Sequence, residues 1–132
     1  MKKIKGITCD SRKVKNGYIF VAIKGLNKDG NHYITEAINN GAKLIITDNE
    51  FTKENKIPVL VVDNARKYLA KLTADFYQNP SQQIKVIGVT GTNGKTTTTH
   101  LIYHLLNSQK KQAGIIGTVD VDTGRQRKKG QI

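Results

Sequence analysis

Residues 90–97 read Thr-Gly-Thr-Asn-Gly-Lys-Thr-Thr, a set of residue types that together can hold a phosphate chain. A short apolar run (Ile84, Val86, Ile87, Val89) precedes it and reads as a strand, and a helical pattern starts straight after. Strand, tight loop and helix aim several backbone N–H groups and a helix N-terminus at one point, which suits an anion. Lys95 stands where its ammonium can reach outer phosphates, and Thr96 follows with a hydroxyl suited to Mg2+. The chemistry implied is binding of a nucleoside triphosphate.

The spacing is not the common one. The pattern G-x-x-x-x-G-K-[ST] needs glycine at position 89, where the chain has Val89, and Gly88, Gly91 and Gly94 also miss G-x-G-x-x-G. What fits is the shorter T-G-T-N-G-K-T-T form. Read without a ligand, the same residues are a glycine-rich turn joining a strand to a helix. The Lys-Thr pair at the helix start favours the phosphate reading.

The elements that must position this loop alternate. Residues 4–8 and 18–23 (YIFVAI) read as strands, and Lys15-Asn16-Gly17 as a turn between them. Residues 24–32 are polar and glycine-punctuated, hence a loop. Ile34, Ala37 and Ile38 have helical spacing, stopped by Gly41. Residues 43–47 and 59–62 read as strands separated by a charged loop at 48–56. Asp63 is placed to cap a helix whose apolar face is Ala65, Tyr68, Leu69, Leu72 and Phe76.

Asn79-Pro80-Ser81 then breaks the chain, so residues 1–81 read as one α/β domain. Beyond the break, Leu101, Ile102, Leu105 and Leu106 make the stripe of a helix, and residues 113–119 (AGIIGTV) read as the next parallel strand. One βαβ unit over residues 82–119 is an incomplete phosphate-loop domain. Residues 120–132, polar and basic at Arg125, Arg127, Lys128 and Lys129, read as a disordered tail. His100 and His104 stand four apart but lack the glutamate of H-E-x-x-H, so both are expected to face solvent rather than a metal.

Composition narrows the class. With 37% apolar and 24% charged residues, the 132-residue chain has the balance of a soluble globular protein. It shows neither a membrane-length apolar run nor a signal-peptide core, and Cys9 has no partner for an internal disulfide; both fit the cytoplasm. The formal charge of +12 attracts anionic partners. Nucleic acid is disfavoured, because the lysines are scattered and only five Tyr and three Phe could stack on bases.

A second signature joins the first. Asp10-Ser11-Arg12, then residues 17–25 (GYIFVAIKG), then Asp29-Gly30 resemble the N-terminal domain of Mur ligases, and the loop at 90–97 resembles their ATP-binding loop. Within the family the likeness is to the branch that adds the third stem-peptide residue of peptidoglycan to UDP-N-acetylmuramoyl-L-alanyl-D-glutamate. The D-alanyl-D-alanine-adding branch is the alternative.

The resemblance implies a UDP-sugar-binding N-terminal domain followed by the first βαβ unit of a P-loop ATP-binding domain. It implies that Cys9 and Ser11 contact the uridine and that Leu26, Asn27 and Lys28 lie along the UDP-sugar. It further implies that Gly91, Thr92, Asn93, Gly94, Lys95, Thr96 and Thr97 bind ATP. Lys95 would stabilise the transferred phosphoryl group, and Thr96 would hold Mg2+.

Taken without the family, Asp10-Ser11-Arg12 is a structural turn. The implied partners are UDP-N-acetylmuramoyl-peptide and ATP, with no membrane partner and with self-association through the incomplete second domain. The chain ends before the family's second Mg2+ ligand, its modified lysine and its amino-acid-binding domain. The expectation is therefore a ligase fragment without turnover of its own. A non-catalytic UDP-sugar or nucleotide-binding module, and a basic nucleic-acid binder supported by charge alone, are the other readings.

Overall fold

A computed structural model of the chain describes residues 4–26, 28–49, 57–124 and 126–129. The chain forms two compact units, Met1–Ile84 and Lys85–Ile132.

The first unit is a four-stranded parallel sheet in the order β1 (Gly6–Thr8), β2 (Tyr18–Val21), β3 (Ala42–Thr47), β4 (Val59–Val61). Helix α1 (Ile34–Asn39) links β2 to β3, and α2 (Ala65–Phe76) follows β4. Both faces of the sheet are covered, which is why β2 is a continuous apolar run rather than an alternating one. Phe20 and Ala22 point to one face, with Val14, Ile34, Ala37, Ala42 and Ile45. Ile19 and Val21 point to the other, with Ile46 and Ala65, and Leu69 and Leu72 of α2 pack against them.

Strand β3 serves both faces through a local irregularity. Tyr18 pairs with Ala42 but Ile19 pairs with Leu44, so Lys43 is an extra residue. The bulge lets Ala42 and Ile45 share one face while Leu44 and Ile46 share the other. Helix α1 ends with Asn40 at its cap and Gly41 in the left-handed region at φ 95°. A Cβ there would also lie 3.0 Å from the Asn16 Cα, so two constraints fix the glycine. Helix α2 is capped by Asn64, whose side chain accepts from the Lys67 N–H at 2.8 Å, not by Asp63 as its sequence position suggested. Asp48 supplies a second acceptor, at 3.2 Å from the Ala65 N–H.

The second unit departs from the sequence-based expectation in three places. The apolar run at 84–89 is not a strand: none of the described residues pairs with it, and Ile84, Val86 and Ile87 are exposed. An extended segment becomes a strand only when its N–H and C=O groups find a ladder partner. Helix α3 (Lys95–Ser108) follows as expected.

After α3 comes β5, which spans only Ile115–Ile116 and is antiparallel to its neighbour. Flanking glycines limit it. The Gly117 N–H turns back to the Asp120 carbonyl at 2.9 Å, and a Cβ on Gly114 would stand 2.8 Å from the Asp122 carbonyl oxygen. The stretch read as a disordered tail instead carries β6 (Asp120–Asp122) and β7 (Arg127–Lys129), paired antiparallel. Their turn is built by Asp122, which accepts from the left-handed Gly124 at 2.7 Å, and by the Thr123 N–H donating to the Gln126 carbonyl at 3.0 Å. The β7 residues Arg127, Lys128 and Lys129 are exposed while Asp120 of β6 is buried, and Asp122-Thr123-Gly124 carries residue types that suit the turn. Arg125 and most of the charged loop at 48–56, namely residues 50–56, lie outside the described residues.

Candidate functional site

The phosphate-loop residues are brought together at the start of α3. Gly94 occupies the helix cap in the left-handed region at φ 76°, and Gly91 has φ 149°. Both torsions favour glycine, so two of the loop's residue types are dictated by its path. The first intrahelical bond runs from the Thr98 N–H to the Gly94 carbonyl at 2.9 Å. The N–H groups of Lys95, Thr96 and Thr97 therefore have no partner within the helix, and no cap side chain covers them. Together with the helix dipole they form a donor cluster suited to an anion.

Lys95 is the first residue of α3. Its Nζ folds back over the loop, donating to the carbonyls of Gly91 at 2.5 Å and Thr92 at 3.1 Å. The ammonium thus stands over the turn, satisfied by exposed carbonyls that an anion could replace. Thr96 is exposed in the same first turn, while Thr99 is turned inward to the carbonyls of Lys95 and Thr96 at 2.9 Å each. A hydroxyl, a lysine and three free N–H groups are a donor set that fits a magnesium-bound polyphosphate.

The residues proposed for the UDP-sugar lie beyond the C-terminal ends of β1 and β2, the edge at which parallel α/β sheets take ligands. Cys9 is exposed. Ser11 is buried: its hydroxyl donates to Glu36 Oε2 at 2.6 Å, and its carbonyl accepts from Asn40 Nδ2 at 3.0 Å. These bonds fasten the single 3-10 turn at Ser11–Lys13 to α1. Asp10 caps that turn and holds Arg12 at 2.9 Å. The Arg12 guanidinium keeps the Asp10 carboxyl below its usual range.

Leu26 and Lys28 sit on a small hairpin in which Lys24 bridges Asp29 and the Gly25 N–H donates to the Lys28 carbonyl at 2.8 Å. Leu26 is fully exposed, and Asn27 lies outside the described residues.

An anchor under this hairpin was missed in the sequence. Asp29 Oδ1 accepts from the Asn31 backbone at 2.9 Å and its amide at 2.7 Å, and Asn31 Oδ1 accepts from the fully buried Thr47 hydroxyl at 2.6 Å. The Asn31 backbone N–H is the main reason the Asp29 carboxyl sits below its usual range. Gly30 passes so near Ile23 that a Cβ would lie 2.6 Å from its nitrogen. Asp29-Gly30 was visible as a pair, but not its link to Thr47, sixteen residues from Asn31.

His100 corrects another expectation. It faces the buried Asp120, with Nε2 3.4 Å from Oδ1, while His104 is exposed. No cluster of three or more metal-ligating side chains occurs among the described residues. Likewise, no described helix is long and apolar enough to cross a membrane.

Fold and loop together define an α/β protein whose second unit opens on a glycine-rich loop and an uncapped helix start. Family profiles then place it: that for the Mur ligase family, catalytic domain, matches residues 3–77, and that for the Mur ligase middle domain matches residues 89–130. The chain belongs to the Mur ligase family.

It is 45% identical over 119 residues to the UDP-N-acetylmuramoyl-L-alanyl-D-glutamate--2,6-diaminopimelate ligase of Aquifex aeolicus, covering 90% of this chain and 24% of that protein. It is 47% identical over 116 residues to the same-named ligase of Chlorobaculum tepidum, covering 87% and 23%. Among solved structures it resembles a ligase of that name with TM-score 0.70 at 31% identity, covering 88% of this chain and 24% of that one. It also resembles MurF ligase from Thermotoga maritima in complex with ADP, with TM-score 0.61 at 34% identity, covering 83% and 25%. The chain spans about a quarter of the length of these relatives.

Proposed function

We propose that the chain supplies the UDP-sugar- and ATP-phosphate-binding part of an ATP-dependent amide ligase. The reaction is addition of the third stem-peptide amino acid to UDP-N-acetylmuramoyl-L-alanyl-D-glutamate in the cytoplasm. The observation that carries this reading is the uncapped start of α3, with Lys95 folded over the loop. The names of the sequence relatives favour this acceptor over the D-alanyl-D-alanine-adding branch. A relative solved in complex with ADP supports an adenine nucleotide as ligand.

In this reading the N–H groups of residues 91–97 cradle the β- and γ-phosphates, and Lys95 leaves the loop carbonyls to offset charge on the transferred group. Thr96 would hold Mg2+, which when bound would neutralise phosphate charge. Cys9, Leu26, Asn27 and Lys28 contact the UDP-sugar. Ser11 completes that site; with its hydroxyl proton committed to Glu36, it would act toward a ligand as an acceptor. Exposed apolar residues of the second unit (Leu101, Leu105, Ile116, Val119) make self-association part of the same reading.

Titration of the 15N-labelled chain with MgATP and with UDP tests it. MgATP should shift the amides of residues 91–97, and Lys95→Ala should abolish those shifts. UDP should shift residues 9–11 and 26–28 in wild type and Lys95→Ala alike. Equal MgATP affinity in wild type and Lys95→Ala overturns the role given to Lys95, and UDP shifts confined to 91–97 overturn the separate uridine site.

A further inference from the structure

Helix α3 has an unusual support for an element that presents a phosphate loop. None of its residues is buried, and Leu101 and Leu105 are 68% and 57% exposed. Ile102 and Leu106 are half-buried, so apolar packing fixes its rotation about its own axis only in part.

Polar links along one stripe add to that. His100 faces Asp120, the Tyr103 hydroxyl donates to Asp122 Oδ2 at 3.0 Å, and Asn107 exchanges two bonds of 3.3 Å with the backbone of Ala113. Positions 100, 103 and 107 are three and four apart, so they lie on one face of the helix. Extended four residues toward the N-terminus, the same face reaches Thr96.

The central link has an open valence. Asp120 is 5% exposed and its Oδ2 accepts from Arg127 Nε at 2.9 Å and Nη2 at 2.6 Å. Its Oδ1 is buried and makes no hydrogen bond among the described residues, with His100 Nε2 at ion-pair distance. A buried carboxylate oxygen left without a donor is costly, and among the described side chains the His100 imidazole, with Nε2 3.4 Å away, is placed to offset that cost.

We propose that Asp120 is a positioning residue for the phosphate loop. Held by Arg127 of β7, it fixes the rotation of α3 through His100 and so sets where the Thr96 hydroxyl meets the metal-bound phosphates. The inference rests on the phosphate-loop reading above. Cutting the link lets α3 turn about its own axis: the free N–H groups point along that axis and Lys95 Nζ is held by the Gly91 and Thr92 carbonyls, so both keep their aim, whereas the Thr96 hydroxyl lies off the axis and swings.

The test is the difference between affinity for MgATP and for metal-free ATP, read from amide shifts of residues 91–97. The variants are Asp120→Asn, His100→Gln, the double variant and Lys95→Ala. In wild type Mg2+ should tighten binding. Asp120→Asn and His100→Gln should each shrink that gain by about threefold or more while leaving metal-free ATP unchanged. The double variant should lose no more than either, because both cut one link.

Wild-type Mg2+ gain in both single variants overturns the proposal, as does an equal loss with and without metal, or no gain in the wild type. Binding that Lys95→Ala leaves intact instead overturns the phosphate-loop reading itself. Should Asp120→Asn unfold the hairpin, half-buried His100→Gln decides alone.

Discussion

The two units solve the folding problem with different materials. Met1–Ile84 buries a two-sided core in which Phe20, Val21, Ala22, Ile34, Ala37, Ile45 and Ile46 are almost wholly out of water. In Lys85–Ile132 the only described residues buried are Ile115 and Asp120, one apolar and one charged. Shape there comes from glycine torsions, a hairpin turn and polar links between α3 and the β5–β6–β7 ribbon. Burial is non-directional and scales with area, so the first unit should tolerate surface change and resent core change. Directional bonds are few and individually modest, so the second unit should respond to single polar groups.

The largest expected effect breaks that comparison if it fails. Ile45→Ala empties a fully buried site between β2 and α1 and should cost about 2–5 kcal/mol. Leu105→Ala, on the more than half exposed face of α3, should change stability by no more than about 0.5 kcal/mol. Denaturant unfolding of the two variants checks the pair, and similar losses would mean that α3 is covered in solution by another copy. Hydrogen exchange in a demonstrated monomer should then show β2 and β3 slower than α3.

Glycines sharpen the contrast at the next level. Gly30→Ala forces a methyl against the Ile23 backbone, and overpacking of that kind costs about 1–3 kcal/mol. Gly88→Ala meets nothing within 4 Å and should leave the melting temperature unchanged. A destabilising Gly88→Ala would show that residues 84–89 have a neighbour in solution.

The same contrast governs what the sequence could reveal. The first unit was legible almost element by element, because YIFVAI, the Ile34–Ala37–Ile38 spacing and the Ala65–Leu69–Leu72 stripe each state their own burial. The path of the loop at 90–97 was legible too, since Gly91 and Gly94 are dictated by local torsions and Lys95 opens the helix. The strand at 84–89 was read from apolar content, but a strand also needs a partner, which no local pattern encodes. His100 and Asp120 lie twenty residues apart, and nothing in either neighbourhood announces their meeting. Nor did Asp10-Ser11-Arg12 show that the Ser11 hydroxyl would be taken up by Glu36.

Acid should separate the anchored hairpin from the rest of the first unit. Asn31 holds the Asp29 carboxyl below its usual range, so ionised Asp29 stabilises the folded form. That contribution is complete above the ordinary carboxylate value of about 3.9 and fades as pH falls through the lower folded value. Asp29→Asn keeps an acceptor for the Asn31 N–H but cannot titrate. The stability gap between wild type and Asp29→Asn should be constant from pH 7 to 5 and close below about pH 4. A gap that persists at pH 2.5, followed by thermal melting, would assign it to shape rather than charge.

The smallest effect concerns the stretch where the first unit gives way to the second. After α2, Gln78 and Asn79 are both left-handed, at φ 61° and 52°, immediately before Pro80. Asparagine tolerates that region, whereas a glutamine Cβ crowds its own carbonyl at a cost of roughly 1 kcal/mol. The Gln78 backbone is already in use: its N–H donates to the Asp75 carbonyl at 3.0 Å and its carbonyl accepts from Gln83 Nε2 at 3.4 Å. Its exposed side chain has no packing to lose. Gln78→Gly keeps both backbone bonds and removes the crowding, while loosening the unfolded chain. The net gain should be about 0.5 kcal/mol, seen as a higher denaturation midpoint for the first unit. Exchange rates in α3 should not change, because strain relieved at the end of α2 is not shared with a helix held by Asp120 and Asp122. Faster exchange in α3 on Gln78→Gly would show that the connector's torsions help hold the second unit together.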